Sequence, residues 1–211
     1  MDSYFPIVID IHAKRCLVVG GGEVATRKVD SLIRAGAEVT VVSPEAGESI
    51  QLWAAEGKLI WRKQPFTDCD VAGFAFVIAA TNISSVNHFV YEAVKRSGGW
   101  VNIVDRPDLC NFILPSVVHR GKLTISISTS GASPGLARKI KQRIEREIGP
   151  EYEEYVEFLA TIRHQVLSEI SDHSQRKRIF RELLDSRFVE AADQERYEMA
   201  AELVRTVTKE Y

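Results

Sequence analysis

Three consecutive glycines, Gly20-Gly21-Gly22, run into Glu23-Val24-Ala25 and have the clearest chemical use in the chain. They spell G-x-G-x-x-A between an apolar run (KRCLVV, residues 14–19) and a stretch with helical spacing (residues 23–35). There, Gly20 permits a tight turn, Gly22 lets the backbone approach a pyrophosphate, and Ala25 lets helix and strand pack closely. The helix start offers unpaired N–H groups and the positive end of a dipole to phosphate oxygens. An α/β protein that binds no dinucleotide can carry the same glycine turn, so the weight rests on its placement. An acid for the adenosine ribose usually stands about 20 residues further on. Here Val42 is followed by Ser43-Pro44-Glu45. Ser43 can hydrogen-bond a ribose hydroxyl, and Glu45 reaches it less directly. No arginine ends that strand to hold a 2′-phosphate, although Arg62 or Lys63 can approach. The expectation is NAD rather than NADP.

Two further turns fall where ligands collect in a doubly wound sheet, beyond the carboxyl ends of strands. Thr81-Asn82 follows the apolar run at residues 74–80 (FAFVIAA), whose small residues leave room for a ribose; a plain turn before a helix reads equally well. Asn102 and Asp105-Arg106-Pro107 end the run at residues 100–104 (WVNIV). Asp105 can accept a proton, orient a substrate, ligate a metal, or simply cap a turn. Beyond these, His119 beside Arg120 can face the same cleft or be an ordinary surface histidine. Arg138, Lys139, Lys141 and Arg143 form one basic cluster, and Arg176-Lys177-Arg178 with Arg181 another. Either can meet a polycarboxylate, yet acidic neighbours make solvated helix faces the common outcome. There is no H-E-x-x-H and no C-x-x-C, so the metal content stays unassigned.

The elements that must position these residues follow from the text around them. Strand-like runs at 14–19, 38–42, 58–62, 74–80 and 100–104 alternate with helical stretches at 23–35, 46–56 and 86–96. Apolar strands alternating with helices predict a parallel sheet covered on both faces, wound by right-handed crossovers. After Pro107 the text changes. Residues 116–119 and 123–128 read as an antiparallel pair around Arg120-Gly121-Lys122, and Ser133-Pro134 as the N-cap and first residue of a helix that ends near Gly149-Pro150. Residues 151–211 read as helix throughout, with Tyr155, Phe158, Leu159, Ile162 and Val166 on one face.

Composition bounds the partners. The 211 residues carry 27 Lys+Arg against 29 Asp+Glu, a formal net charge of −2, with 45% hydrophobic residues. That balance argues against nucleic acid while leaving room for a local basic pocket. No run reaches the roughly 18 apolar residues of a membrane span, and the first residues lack the basic and apolar regions of a signal peptide. Three separated cysteines, Cys16, Cys69 and Cys110, suit a reducing cytoplasm.

Taken in order, the motifs resemble a family. They are Phe5-Pro6-Ile7; the stretch from Cys16 to Lys28 around the glycines; Ala79-Ala80-Thr81-Asn82; Val101-Asn102-Ile103-Val104-Asp105; Asn111-Phe112-Ile113-Leu114-Pro115-Ser116; and Ser130-Gly131-Ala132-Ser133-Pro134. The chain is similar to the precorrin-2 dehydrogenases, the first module of sirohaem synthases, strongly over residues 3–150 and more loosely beyond. The resemblance implies an N-terminal Rossmann domain (1–113), a central α+β dimerisation region (114–149) and a C-terminal helical domain (150–211), working as a homodimer. It implies oxidation of precorrin-2 to sirohydrochlorin with hydride transfer to NAD⁺; some members also insert Fe²⁺. Residue by residue, Gly20, Gly21, Gly22, Glu23 and Val24 would hold the pyrophosphate. Ser43 and Pro44 would flank the adenosine, and Thr81, Asn82 and Asn102 would line the nicotinamide side. Asp105 matches the family's catalytic aspartate, and His119, Ser128 and Arg138 would serve the substrate. The family's serine cluster reads Ser128-Thr129-Ser130 here, with threonine second. A length of 211 leaves no room for the fused methyltransferase of long sirohaem synthases, so precorrin-2 would come from another protein. Two alternatives stay open: a bifunctional dehydrogenase and ferrochelatase, and a non-catalytic NAD-sensing module.

Overall fold

The structure is a computed structural model that describes residues 4–104 and 106–209. The chain divides into two compact units, Met1–Leu114 and Pro115–Tyr211.

In the first unit β1 (Arg15–Val19), β2 (Glu38–Val42), β3 (Leu59–Arg62), β4 (Phe76–Ala79) and β5 (Trp100–Ile103) form one parallel sheet in the order β3-β2-β1-β4-β5. Its strands are apolar on both sides because both faces are covered. Cys16, Val18, Val39, Val41 and Ile78 face α1 (Glu23–Arg34) and α2 (Glu48–Ala55). Leu17, Val19, Val77, Ala79, Val101 and Ile103 face α3 (Ser84–Ser97). The doubly wound arrangement expected from the alternating text is therefore present. Its strand order reverses at β1, leaving a crevice between the carboxyl ends of β1 and β4. α1 buries Ala25, Val29 and Leu32 at helical spacing and ends at Ala35, with Gly36 at φ 76°.

The β5 edge is closed by a side chain. Asn111 Oδ1 accepts the Val101 N–H at 2.7 Å, and its Nδ2 donates to the Gly99 carbonyl at 2.8 Å. The Asn111 backbone N–H donates to the Val101 carbonyl at 3.1 Å. One asparagine thus occupies the hydrogen-bonding positions of a neighbouring strand.

In the second unit β6 (Ser116–Arg120) and β7 (Leu123–Ile127) make an antiparallel hairpin that packs against α4 (Pro134–Glu147). Ser133 caps α4 as expected, accepting the Leu136 N–H at 3.2 Å. Arg120 closes its other end, donating to the carbonyls of Ile148 at 2.9 Å and Glu145 at 3.1 Å. The remaining helical text breaks into α5 (Glu151–Glu169), α6 (His173–Glu182), α7 (Ser186–Glu190) and α8 (Asp193–Lys209). Their core is Tyr155, Phe158, Ile162 and Val166 of α5 with Ile179, Leu183, Phe188, Ala200 and Val207. Inside it lies Arg196, 2% exposed. Its guanidinium donates to the carbonyls of Phe188 (2.7 Å) and Ala191 (2.8 Å) and to Asp193 Oδ1 (2.8 Å). The cation stays buried because its donors meet the open carbonyls at the end of α7.

Candidate functional site: the glycine loop and its neighbours

The carboxyl ends of β1, β2 and β4 bring three turns together. Gly20 is buried with φ +120°, and a Cβ there would stand 2.4 Å from the Ala80 carbonyl oxygen and 3.3 Å from Thr81 Cγ2. A Cβ on Gly21 would stand 2.1 Å from the Glu45 carbonyl oxygen. The Gly21 carbonyl in turn accepts the Gly47 N–H at 2.9 Å. Gly22 differs: a Cβ there would meet nothing within 4 Å. Gly22 is the N-cap of α1 with no side-chain cap. The N–H groups of Glu23, Val24 and Ala25 find no acceptor among the described residues; the first bond of the helix runs from Thr26 N–H to the Gly22 carbonyl, 2.9 Å. The Glu23 side chain turns away, 88% exposed and 4.0 Å from Arg27. Open space above free N–H groups at the start of a three-turn helix fits the pyrophosphate of a dinucleotide.

On the β2 side, Ser43 is buried, and its hydroxyl donates to the Glu45 carbonyl. That proton is committed to the turn, which leaves Ser43 Oγ as an acceptor. Pro44 and Glu45 are exposed beside it. Arg62, at the end of β3, is drawn to buried Asp70: its Nη1 donates to Oδ1 at 3.0 Å. Asp70 also accepts the Thr67 N–H at 2.8 Å and the Thr67 hydroxyl at 3.0 Å.

On the β4 side, Thr81 is held by Asn87 of α3, a residue that sequence reasoning passed over. Asn82 is exposed. Asn102 is buried with its amide turned to the Phe112 carbonyl at 3.0 Å, so its N–H₂ group serves the chain segment after β5. Asp105 lies outside the described residues. Beside it in sequence, the Ile103 N–H donates to Cys110 Sγ at 3.1 Å, and the thiol faces the Arg106 carbonyl at 3.2 Å. Burial pushes the Cys110 thiol up, the Ile103 N–H opposes that shift, and Asp108 adds to it.

In the second unit His119 is exposed, with Nδ1 3.2 Å from the Thr124 hydroxyl. Ser128 Oγ accepts the Ser130 N–H at 3.0 Å. Arg138 and Lys139 are exposed on α4 without an ion-pair partner among the described residues, whereas Lys141 and Arg143 pair with Glu145 and Glu147. Arg176 is no free cation: it donates to the Ile170 and Leu167 carbonyls at the end of α5. Among the described residues no three His, Cys, Asp or Glu side chains gather as a metal site, and no helix is long and apolar enough to cross a membrane.

Comparison with known proteins agrees with this geometry. The profile of the family described as "Putative NAD(P)-binding" matches residues 7–116. "Sirohaem biosynthesis protein central" matches residues 120–147, and "Sirohaem synthase dimerisation region" residues 151–206. A siroheme synthase of Nitrosospira multiformis is 42% identical over 192 residues, 89% of this chain and 41% of that protein. One of Nitrosococcus oceani is 39% identical over 188 residues, 89% of this chain and 40% of that protein. The chain therefore spans about two fifths of the length of these relatives. Among solved structures it is similar to "SirC, precorrin-2 dehydrogenase", with a TM-score of 0.81 and 28% identity, covering 98% of this chain and 100% of that one. Glycine loop, parallel sheet and matched profile agree, and the chain belongs to this NAD(P)-binding family, followed by a sirohaem-biosynthesis central region and a sirohaem synthase dimerisation region.

Proposed function

We propose that the chain is an NAD⁺-dependent precorrin-2 dehydrogenase, acting as a homodimer, that yields sirohydrochlorin for sirohaem synthesis. The likeness to SirC over 98% of this chain and 100% of that one carries the reading. A hydride and a proton leave precorrin-2, and one NAD⁺ is reduced to NADH. Bound NAD⁺ supplies the hydride acceptor; the protein's part is binding and alignment. The free N–H groups of Glu23, Val24 and Ala25 hold the pyrophosphate, and Thr81 with Asn82 borders the nicotinamide side. Asp105 takes the departing proton. The exposed cations Arg138 and Lys139 of α4 suit the carboxylates of the macrocycle. The preference for NAD⁺ over NADP⁺ is supported at the end of β2 and β3, where the Arg62 guanidinium is engaged by Asp70 rather than free for a 2′-phosphate.

Anaerobic turnover of precorrin-2, followed by absorbance, tests this. We expect conversion with NAD⁺ and slower conversion with NADP⁺. Asp105→Ala should lose turnover while binding NADH as the parent does. Absence of turnover with both cofactors would refute the assignment, and full turnover by D105A would remove Asp105 from the chemistry.

A further inference from the structure

We infer that Asn87 is a positioning residue of the cofactor site, locking the turn after β4 against the glycine loop. Asn87 lies in the first turns of α3 and is 8% exposed. Its side chain has one target, Thr81. Oδ1 accepts the Thr81 N–H at 3.3 Å and the Thr81 hydroxyl at 2.8 Å, while Nδ2 donates to the Thr81 carbonyl at 2.9 Å. The Thr81 hydroxyl oxygen also accepts the Ile83 N–H at 3.1 Å. Thr81 stands just past the last ladder position of β4, where Ala79 pairs with Val19 and Ile103. Its backbone N–H and carbonyl have no other partner among the described residues, so a side-chain amide does here what a strand would do further down the sheet.

The position of this turn gives the amide its consequence. Thr81 follows β4, Gly20 follows β1, and these two strands flank the crevice where the strand order reverses. The two turns touch: the space a Gly20 side chain would need is filled by the Ala80 carbonyl at 2.4 Å and Thr81 Cγ2 at 3.3 Å. Holding Thr81 by its N–H, carbonyl and hydroxyl fixes the wall on which the glycine loop rests, and with it the seat of the pyrophosphate. Asn87 does not cap its own helix, whose N-cap Ile83 has no side-chain bond.

This inference rests on the cofactor reading above, and direct NADH binding separates the two. The variants are Asn87→Ala, the isosteric Asn87→Asp, which keeps the acceptor but sets an oxygen against the Thr81 carbonyl, Thr81→Val, and the double variant N87A/T81V. Titration by NADH fluorescence, with thermal melting of each free protein, gives the readout. Both Asn87 variants should bind NADH about tenfold more weakly while still melting cooperatively. The double variant should lose less affinity than the sum of the two single losses, because both changes break the bond between the Thr81 hydroxyl and Asn87. Should N87A fail to fold, N87D carries the test. Folded Asn87 variants with parental affinity, or strictly additive losses, overturn the positioning role. A parent protein that binds neither NADH nor NADPH overturns the cofactor reading and this inference with it.

Discussion

Replacing Gly22 by alanine separates two jobs of the glycine loop. Gly22 has φ −81° and ψ −174°, which alanine adopts without strain, and its new Cβ would meet nothing within 4 Å. Alanine is a poorer N-cap than glycine but restricts the unfolded chain, so the two effects offset to within about 1 kcal/mol. The same methyl stands in the open space over the N–H groups of Glu23, Val24 and Ala25. A pyrophosphate pushed off them loses charge-assisted hydrogen bonds of about 1.5–3 kcal/mol, or about ten- to hundredfold in affinity. Gly21→Ala is the contrast, since its Cβ would stand 2.1 Å from the Glu45 carbonyl oxygen and 2.7 Å from Ala46 Cα. Both are backbone, so this variant should lose about 1–3 kcal/mol of stability. NADH fluorescence titration beside urea unfolding resolves the pair: G22A should unfold like the parent and bind weakly, and G21A should unfold early. If G22A bound NADH with parental affinity, the pyrophosphate would not sit at this helix start and the reasoning would be refuted.

Arg196→Met should cost about 2–4 kcal/mol in urea unfolding followed by circular dichroism, because the Phe188 and Ala191 carbonyls lose their donor; a loss below 1 kcal/mol would show the end of α7 rearranging to find water. Cys16 is fully buried, and burial pushes its thiol from 9.0 to about 11, whereas Cys69 is exposed. A thiol reagent at pH 8 should therefore label Cys69 in the native chain and Cys16 only after unfolding. The raised folded value also fixes a sign. The stability Cys16 contributes is full below pH 9.0 and declines as the pH rises towards 11, by about 2–3 kcal/mol, in alkaline urea titrations.

The parts of the fold legible in the sequence were those written locally. The five strands and the glycine loop show because apolar runs and G-x-G-x-x-A are contiguous, and Ser133-Pro134 shows because a cap and its helix are neighbours. The long tail reads only as helical text, and two of its breaks lie at the N-caps Asp172 and Asp185, whose capping use is easily lost in charged text. Side-chain destinations were least legible. Ser43 and Asn102 have the right chemistry for a cofactor, yet the structure points the Ser43 proton at the Glu45 carbonyl and the Asn102 amide at the Phe112 carbonyl. Asn87 looks like a surface residue in an amphipathic helix. Its only signal is its distance of six residues from Thr81, short enough for the first turns of a helix to reach back to the strand end before it. Arg196 is hidden for the opposite reason, as one arginine among many in a charged helix.

The asparagine that closes the β5 edge also decides where this sheet is open to strangers. A sheet grows by offering a free row of N–H and carbonyl groups to another strand. At β5 Asn111 fills that row at Gly99 and Val101, so the terminal template is β3, Leu59–Arg62, whose Ile60 is 62% exposed. Lys58, Arg62 and Lys63 flank that isoleucine with charged side chains, Lys58 paired with Glu56 at 2.7 Å and Arg62 with Asp70 at 3.0 Å. A second strand docking there would have to strip those charged side chains of water, which is how charged residues keep an edge strand single. The sheet is thus guarded by an amide on one side and by hydrated charged side chains on the other, and only the second guard depends on the solvent.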